Sequence, residues 1–472
     1  MSHTVSVSPP TAGGLGIADS VLDLIGDTPL VRLKRMSEEY GLTSLLTMKL
    51  EAANPGGSAK DRPALEMVLR AEADGLLHPG GTIVEPTSGN TGVGLAIVAA
   101  QRGYRCVFVV TDKVSPEKVD LLRAYGAEVV VCPVAVPPDH PDSYYSTAER
   151  LVTEIPGAYR PNQYANPANP QAHTLTTGPE IWRQTDGRVT HFVAGAGTCG
   201  TLTGTARYLK AQNPDVRIVA ADPRGSVYSG GSGRPYLVEG VGEDFFPAAW
   251  DPSLIDEVIE VSDRDSFLMA RRISRTEGIL TGGSGGMAVA AALQVARRCG
   301  PDDVIVVLNP DSGRGYLSRV FNDTWMATHG FLGESDGPTL AEVLAHRPDR
   351  SPLLYVNPAH TARDAIAVMQ REAVSQLPVC KNEPPFATAE VVGAVHELEL
   401  MAGAHQDRSV LDRPVAELMG PRLPTIGVGQ LAVHATRLLE QHPAVLVLAD
   451  GRPSTVVTRA DMLTYFSHTS RG

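Results

Sequence analysis

The chain has 472 residues, of which 43% are apolar and 20% are charged, and its formal net charge is -12. At about 150 residues per domain, this length predicts several folding units. The acidic balance disfavours nucleic acid, because phosphate binding needs a basic surface, and no apolar run approaches the ~18 residues of a membrane helix. We therefore expect neither nucleic acid nor membrane as a partner, and favour small molecules.

The five cysteines are scattered without a CxxC pair, which argues against a disulfide framework and against a zinc site. We expect no metal site. Residues 1–17 lack both the basic start and the apolar stretch of a secretory signal, and they predict a disordered leader. Together these features predict a cytoplasmic protein.

Residues 18–332 alternate short apolar runs with helical stretches, which is the pattern of α/β proteins. Runs such as 104–110 and 304–308 are rich in β-branched residues, as buried parallel strands are. Between them, residues 116–125 predict a helix with an N-cap at Ser115. The pattern indicates an α/β catalytic domain whose sheet is covered on both faces.

A glycine-rich turn at residues 54–62, NPGGSAKDR, carries Lys60 directly before an acid and a base. A lysine amine forms imines with aldehydes when it can lose its proton. An isolated lysine at a helix start is more often a surface residue. The interpretation of Lys60 therefore depends on the motifs that follow it.

The segment EPTSGNTGVGLA, residues 85–96, is a polar turn that leads into an apolar helix. Its amides and the side chains of Thr87, Ser88, Asn90 and Thr91 lie at a helix N-terminus, where the dipole favours an anion such as a carboxylate. A plain N-cap is the alternative interpretation.

The segment AGAGTCGTLTG, residues 194–204, follows a strand-like run and opens into a helix. Its glycines allow main-chain N–H groups to approach a phosphate, and Thr198 and Thr201 add hydroxyl donors. A nicotinamide dinucleotide site is the alternative, but this segment lies far from the first strand, where that fingerprint belongs.

The segment LNPDSGRGYLSR, residues 308–319, places Asp311 and Ser312 at the end of an apolar strand, the edge at which α/β proteins assemble their sites. If a cofactor with a pyridine ring bound here, a serine hydroxyl facing the ring nitrogen would leave that nitrogen unprotonated. An unprotonated ring suits β-elimination better than transamination. An N-cap role for Ser312 is the simpler alternative.

The last part of the chain changes character. Residues 333–345 begin with the acidic, glycine-rich GESDGP and predict a linker. Beyond it, residues 346–472 contain two similar units, about 346–405 and 410–472, each predicted as strand, helix, strand, strand, helix. Two such units would pair their sheets and leave clefts that suit ligands.

The four motifs in this order resemble fold-type II pyridoxal-phosphate (PLP) enzymes of the cystathionine β-synthase and cysteine synthase family. The resemblance extends over roughly 300 residues, from IGDTPLVRL to FNDTWM, and implies an α/β fold of two doubly wound subdomains. It implies that Lys60 is the Schiff-base lysine. The cofactor-binding residues that it implies are Lys60, Asn90, Gly197, Thr198, Cys199, Gly200, Thr201 and Ser312. The substrate-binding residues that it implies are Thr87, Ser88, Gly89, Thr91, Gln163, Tyr164 and Gly240.

The resemblance also implies a reaction, the replacement of a β-substituent: L-serine and L-homocysteine give L-cystathionine and water. Synthesis of cysteine from O-acetylserine and sulfide is the alternative within the family. A protein that senses adenosyl ligands without turnover is an alternative of another class. Where eukaryotic members have a tyrosine beside the substrate, this chain has Glu243, which puts homocysteine selectivity in doubt.

The C-terminal part resembles a Bateman module, a pair of α+β CBS repeats with a regulatory role. Thr458 and Asp461 match the hydroxyl and ribose-binding carboxylate positions of adenosyl-binding repeats, whereas the first repeat has His396 and Glu399 there. S-adenosylmethionine is the implied ligand, with AMP or ATP as alternatives. The resemblance implies a homodimer or homotetramer. We expect no haem, because only His3 precedes Thr28 as a possible ligand.

Overall fold

The structure, a computed structural model, describes residues 17–87, 89–111, 114, 116–133, 140–334, 337–347 and 353–469. The chain divides into two compact units. The first consists of Met1–Gly233 and Val238–Tyr316, and the second of Arg234–Leu237 and Leu317–Gly472. Within the described residues, no helix is long and apolar enough to cross a membrane.

The larger sheet of the first unit has the strand order β1-β2-β10-β7-β8-β9. Its strands are β1 (Leu30–Arg32), β2 (Leu45–Leu50), β7 (His191–Gly195), β8 (Arg217–Pro223), β9 (Glu257–Val261) and β10 (Val304–Asn309). Only β1 pairs antiparallel among these described strands, so the carboxyl ends of β2, β10 and β7 meet at one edge. Strand β10 is buried along its whole length, as expected of a parallel strand covered on both faces.

The smaller sheet of the first unit has the order β5-β4-β3-β6 and is parallel throughout. Its strands are β3 (Thr82–Pro86), β4 (Arg105–Thr111), β5 (Glu128–Cys132) and β6 (Ala158–Tyr159). The predicted runs 104–110 and 304–308 are therefore strands β4 and β10, within a residue. One parallel sheet and a second that is parallel except for β1 confirm the predicted α/β fold class.

Helices connect these parallel strands. They are α1 (Lys34–Glu39), α2 (Asp61–Ala73), α3 (Asn90–Arg102), α4 (Pro116–Ala124), α5 (Tyr144–Glu154), α6 (Ala168–Leu175), α7 (Thr177–Gln184), α8 (Gly200–Gln212), α9 (Asp263–Thr276) and α10 (Gly283–Ala296). Helix α4 confirms the helix predicted at residues 116–125, while its predicted N-cap, Ser115, lies outside the described residues. Helix α3 follows β3 and α8 follows β7, so their N-termini lie at the carboxyl ends of those strands.

A buried network of charges fixes the start of helix α2. The Arg62 guanidinium donates to both carboxylate oxygens of Glu51, at 2.7 and 2.8 Å, and to both oxygens of Glu180, at 2.6 and 2.8 Å. Lys49 Nζ donates to Glu180 at 2.6 Å and to the carbonyl of Thr28 at 2.7 Å. Burial raises the pKa of Glu51, but the Arg62 guanidinium outweighs it and brings that pKa down to about 2. Two cations and two anions thus balance inside the protein.

The second unit contains a sheet β11-β12 and a sheet β13-β14-β15. Its strands are β11 (Gln376–Cys380), β12 (Val391–His396), β13 (Thr425–Gly427), β14 (Ala444–Ala449) and β15 (Arg452–Thr458). Its helices are α11 (Asp323–Thr328), α12 (Leu340–Ala345), α13 (Ala362–Glu372), α14 (Glu397–Gln406), α15 (Ala432–Gln441) and α16 (Arg459–Thr469). The second repeat has the predicted order of elements. In the first repeat, the leading strand is reduced to one bridge between Val356 and Val379.

The segment expected as a linker, residues 333–345, contains helix α12. Leu340 and Val343 of this helix are buried in the hydrophobic core of the second repeat. Their spacing of three residues places both side chains on one helix face, a signal too short to stand out in the sequence. The start of the segment is polar, as expected, whereas its end is part of the fold.

The short segment Arg234–Leu237 belongs to the second unit although the chain on either side of it belongs to the first. Arg234 donates to both carboxylate oxygens of Glu390, at 2.7 and 2.6 Å. It also donates to the carbonyls of Glu383, at 3.0 Å, and Pro385, at 2.7 Å. The Glu390 side chain is 4% exposed, so this pair is largely shielded from water.

The buried network predicts a large effect of removing Arg62. We expect Arg62→Met to lower the free energy of unfolding by about 3–5 kcal/mol, because it leaves the buried Glu51 and Glu180 without their main partner. Denaturant unfolding measures the effect. The matched control is Arg183→Met, which removes an exposed pair with Asp27 and should cost under about 1 kcal/mol. Equal losses in the two variants would contradict this account of the network.

Candidate active site

The turn that carries Lys60 connects strand β2 to helix α2, and Lys60 is the residue immediately before the helix. Ala59 N donates to the carbonyl of Pro310 at 2.8 Å, and Ser58 forms a bridge with Asp311. The Lys60 turn is therefore held against the loop that follows β10. Burial lowers the pKa of the Lys60 amine, more than the nearby carboxylates raise it, which increases the fraction of the amine that is free of its proton.

The loop after β10 presents Asp311 and Ser312. Asn90 Nδ2 donates to Asp311 Oδ2 at 2.8 Å, and the Tyr316 hydroxyl donates to the same oxygen at 2.7 Å. Among the described residues, the hydrogen bond that Ser312 Oγ accepts is a long one, 3.3 Å, from the backbone N of Arg314. The structure thus brings Asn90 of α3, at the end of the smaller sheet, to the loop that carries Ser312 at the end of the larger one.

The glycine-rich turn between β7 and α8 has no room for side chains at two positions. A Cβ on Gly200 would lie 1.9 Å from Asn169 Oδ1, and one on Gly197 would lie 2.9 Å from the carbonyl of Gly240. Cys199, directly before α8, adopts a left-handed backbone conformation with φ of 63°. The first N–H groups of α8 have no partner within their helix and suit an anion at this turn.

The polar turn between β3 and α3 connects to Gln163. Thr91 Oγ1 donates to Gln163 Oε1 at 2.7 Å, and Gln163 N donates to the buried Glu85 carboxylate at 3.1 Å. Thr87 and Gly89 lie in the same turn, as predicted, while Ser88 lies outside the described residues. The predicted carboxylate clamp therefore has its Thr91 and Gln163 members in contact.

Asn169, which sequence reasoning missed, joins this clamp to the glycine-rich turn. Its Nδ2 donates to the carbonyl of Gln163 at 2.8 Å and to Thr198 Oγ1 at 3.1 Å. His173, on the same helix α6, lies 3.1 Å from Thr201 Oγ1 through its Nε2. Both residues occur in the segment NPANPQAH, whose clustered amides and imidazole are a signal that the sequence does contain.

Gly240 and Glu243 approach the same turn from a third direction. Gly240 has φ of 80°, and Gly242 N donates to the carbonyl of Ala196 at 2.6 Å. The Glu243 carboxyl hydrogen-bonds Tyr164 and interacts electrostatically with Lys60. The predicted residues Tyr164 and Gly240 are thus close to the predicted lysine and phosphate turn, and Glu243 joins them.

A cavity of about 760 Å³ opens beside this edge of the sheets, within the usual range for small-molecule sites. Its described lining includes Gly89, Asn90, Asp311 and Ser312, but neither Lys60 nor the turn 197–201. The donor set nevertheless fits one compound with three groups: an aldehyde for an amine, a phosphate for a helix N-terminus, and a ring nitrogen for a hydroxyl. Pyridoxal phosphate has all three.

The amino ends of β7 and β10 carry a separate group of side chains. The ligand atoms of His191, Cys299 and Asp303 lie within 4.8 Å of one another. Burial lowers the pKa of the His191 imidazole, the carboxylates of Asp303 and Glu257 raise it, and the guanidinium groups of Arg217 and Arg298 lower it. Two carboxylates and two guanidinium groups therefore act on this imidazole.

In the second repeat, Thr458 and Asp461 lie together at the start of α16. Thr458 donates to Asp461 Oδ2 through its backbone N, at 2.7 Å, and its hydroxyl, at 2.8 Å. Arg347 donates to both oxygens of Asp461, each at 2.7 Å. The carboxylate expected to bind a ribose is therefore already engaged by an arginine, which the sequence did not indicate.

Comparison with known proteins supports the interpretation of the first unit. The model of the family described as pyridoxal-phosphate dependent enzyme matches residues 21–311, more than half of the chain. Cystathionine β-synthase of Oryctolagus cuniculus is 41% identical over 389 residues, which cover 80% of this chain and 70% of the relative. Cystathionine β-synthase of Dictyostelium discoideum is 34% identical over 472 residues, which cover 95% of this chain and 92% of the relative.

Solved structures show the same similarity in three dimensions. An O-ureido-L-serine synthase of known structure is 41% identical in sequence, with a TM-score of 0.61. The match covers 68% of this chain and 98% of the synthase chain. A hydrogen sulfide-producing enzyme from Fusobacterium nucleatum is 38% identical in sequence, with a TM-score of 0.60. The match covers 64% of this chain and 99% of the chain of that enzyme.

The crowded glycine turn predicts a loss of phosphate binding on substitution. We expect Gly200→Ala to weaken the affinity for pyridoxal phosphate by about tenfold or more, because its Cβ must displace Asn169 from Thr198. Absorbance titration of the cofactor-free protein with pyridoxal phosphate measures the change. The control is Gly300→Ala, a glycine whose Cβ would meet open space. Unchanged affinity in the folded Gly200→Ala variant would contradict the assignment.

Proposed function

Because the chain belongs to the cystathionine β-synthase family of pyridoxal-phosphate dependent enzymes, we propose that it condenses L-serine with L-homocysteine to L-cystathionine and water. It is a PLP-dependent lyase that acts on amino acids. One observation supports the site assignment above all. The loops that carry Lys60, Ser312 and the turn Gly197–Thr201 leave the carboxyl ends of β2, β10 and β7, which are neighbours in one sheet.

We assign the cofactor contacts to these loops. Lys60 would hold the cofactor through its amine, the turn Gly197–Thr201 would hold its phosphate, and Ser312 would face its ring nitrogen. Asn90, which Asp311 orients by accepting its Nδ2 hydrogen at 2.8 Å, would face the ring oxygen. When bound, pyridoxal phosphate withdraws electrons from the substrate Cα and makes its proton removable.

The chain's own side chains then bind the amino acid and move its protons. The turn Thr87–Thr91, with Gln163, would hold the α-carboxylate at the N-terminus of α3. Once the substrate amine has replaced it on the cofactor, the free Lys60 amine would take the Cα proton and later return it. Burial lowers the pKa of this amine, which favours the unprotonated form that a base needs.

Side-by-side turnover tests the proposed reaction. We expect kcat/KM for serine with homocysteine to exceed that for O-acetylserine with sulfide, with cystathionine identified as the product. A much larger kcat/KM with O-acetylserine and sulfide would instead establish the alternative, cysteine synthase. Turnover of neither pair by protein that shows the visible absorbance of the lysine imine would favour an adenosyl-sensing protein without turnover.

We propose a regulatory role for the second unit as a pair of CBS repeats that binds S-adenosylmethionine, AMP or ATP. The presence of Thr458 and Asp461 at the start of α16 supports a site in the second repeat. Arg347 competes there, because its guanidinium already neutralises the Asp461 carboxylate and holds it through two hydrogen bonds. We also propose a cytoplasmic location and a homodimer or homotetramer.

Removal of this competitor should strengthen ligand binding. We expect Arg347→Ala to raise the affinity for S-adenosylmethionine by about tenfold, because the Asp461 carboxylate then becomes free for a ribose. Calorimetric titration of the full chain measures it. Arg437→Ala, at an exposed arginine of α15, is the control. Weaker binding after Arg347→Ala would mean that the arginine contributes to the site.

A further inference from the structure

Replacement of the serine hydroxyl by a thiol needs a proton for the departing hydroxyl and a base for the incoming thiol. Hydroxide is a poor leaving group, and an enzyme assists its departure by protonating it from a positioned acid. Lys60 holds the Cα proton at that point and must return a proton to Cα at the end of the reaction. A second group close to Lys60 that is protonated near neutral pH would protonate the hydroxyl and leave the Lys60 proton for Cα.

Glu243 is placed to be that group. Its backbone N donates to Ser226 Oγ at 3.1 Å, and its carbonyl accepts from Val227 N at 3.1 Å, which fixes the backbone. The preceding residue, Gly242, is held at 2.6 Å to the carbonyl of Ala196, next to the phosphate turn. The Glu243 side chain therefore projects from a loop that backbone hydrogen bonds hold in place, and its carboxyl interacts electrostatically with Lys60.

We infer that Glu243 is the general acid that protonates the departing β-hydroxyl of serine. The inference rests on the proposed function, since it gives a residue to one step of that reaction. Tyr164, which hydrogen-bonds the same carboxyl, orients it. Eukaryotic members of the family have a tyrosine at this position, so here a carboxylic acid replaces a phenol.

The proton balance of the step is complete. Lys60 takes the Cα proton, the Cα–H electron pair forms a Cα–Cβ double bond, and the Cβ–O bond breaks as Glu243 gives its proton to the oxygen, so that water leaves. In the second half, the Glu243 carboxylate takes the thiol proton of homocysteine. The sulfur electron pair forms the S–Cβ bond, and Lys60 returns its proton to Cα. Both residues end as they began.

The electrostatics of the loop agree with this role. Burial, aided by the negative charge of Asp244, raises the pKa of Glu243 to about 7, while Tyr164 and Lys60 act in the opposite direction. The other titratable groups that face it are Cys199 and Tyr228, and burial keeps both of them uncharged. An acid with this pKa retains a large protonated fraction at neutral pH and still gives up its proton.

A comparison of two donors tests the inference. O-acetylserine leaves as acetate, which needs no proton, whereas serine leaves as water. On mixing the PLP-loaded full chain with each donor in the absence of thiol, we expect Glu243→Gln to slow loss of the serine hydroxyl by about 10²–10³-fold. Loss of acetate should change by less than about threefold. The measurement is the stopped-flow absorbance change, with Glu260→Gln, at an exposed carboxylate of β9, as the control.

Equal slowing with both donors, or slowing with neither, would overturn the role of Glu243. The pH dependence gives a second test. With serine, the wild-type rate should fall as pH rises through about 7, since only protonated Glu243 is active. Tyr164→Phe should move this fall to higher pH, because the lost hydrogen bond stabilises the carboxylate. A wild-type protein that makes no cystathionine would refute the proposed function instead, whatever the donor comparison gives.

Discussion

The pairing of Arg62 with Glu51 and Glu180 is the interaction on which the rest of the first unit depends. A buried guanidinium is costly unless its donors are matched, and here four hydrogen bonds of 2.6 to 2.8 Å match them. Arg62 lies two residues after Lys60, in the first turn of helix α2, which begins directly after Lys60. The charges that fix this turn thus also fix the backbone position of Lys60, the proposed cofactor lysine.

Burial and ion pairing together determine which groups in and around the candidate site carry a charge. Burial lowers the pKa of the Lys60 amine and raises the pKa of the Asp311 and Glu243 carboxyls, so each group is biased towards its uncharged form. Outside the candidate site, Glu51 is held ionised by Arg62. The protein therefore separates a permanently charged support from groups whose protons can move.

The parts of the proposed site that can be predicted from the sequence are those that depend on local chemistry. The glycine turn 197–201 and the Lys60 turn are recognisable because each needs particular residues at adjacent positions, and strands β4 and β10 because buried strands need β-branched runs. Asn169 and Arg347 were missed because their roles come from partners distant in sequence, 29 residues away at Thr198 and 114 at Asp461. Pairing of this kind becomes visible only when the chain has folded.

Because of the segment Arg234–Leu237, the chain passes between the two units more than once. The chain enters the second unit at Arg234, returns to the first at Val238, and enters the second again at Leu317. Truncation of the chain after Tyr316 would remove Glu390, the hydrogen-bond partner of Arg234. A different domain fused at that point would not supply the same carboxylate. An exchange of the second unit between proteins by gene fusion must therefore carry residues 234–237 with it.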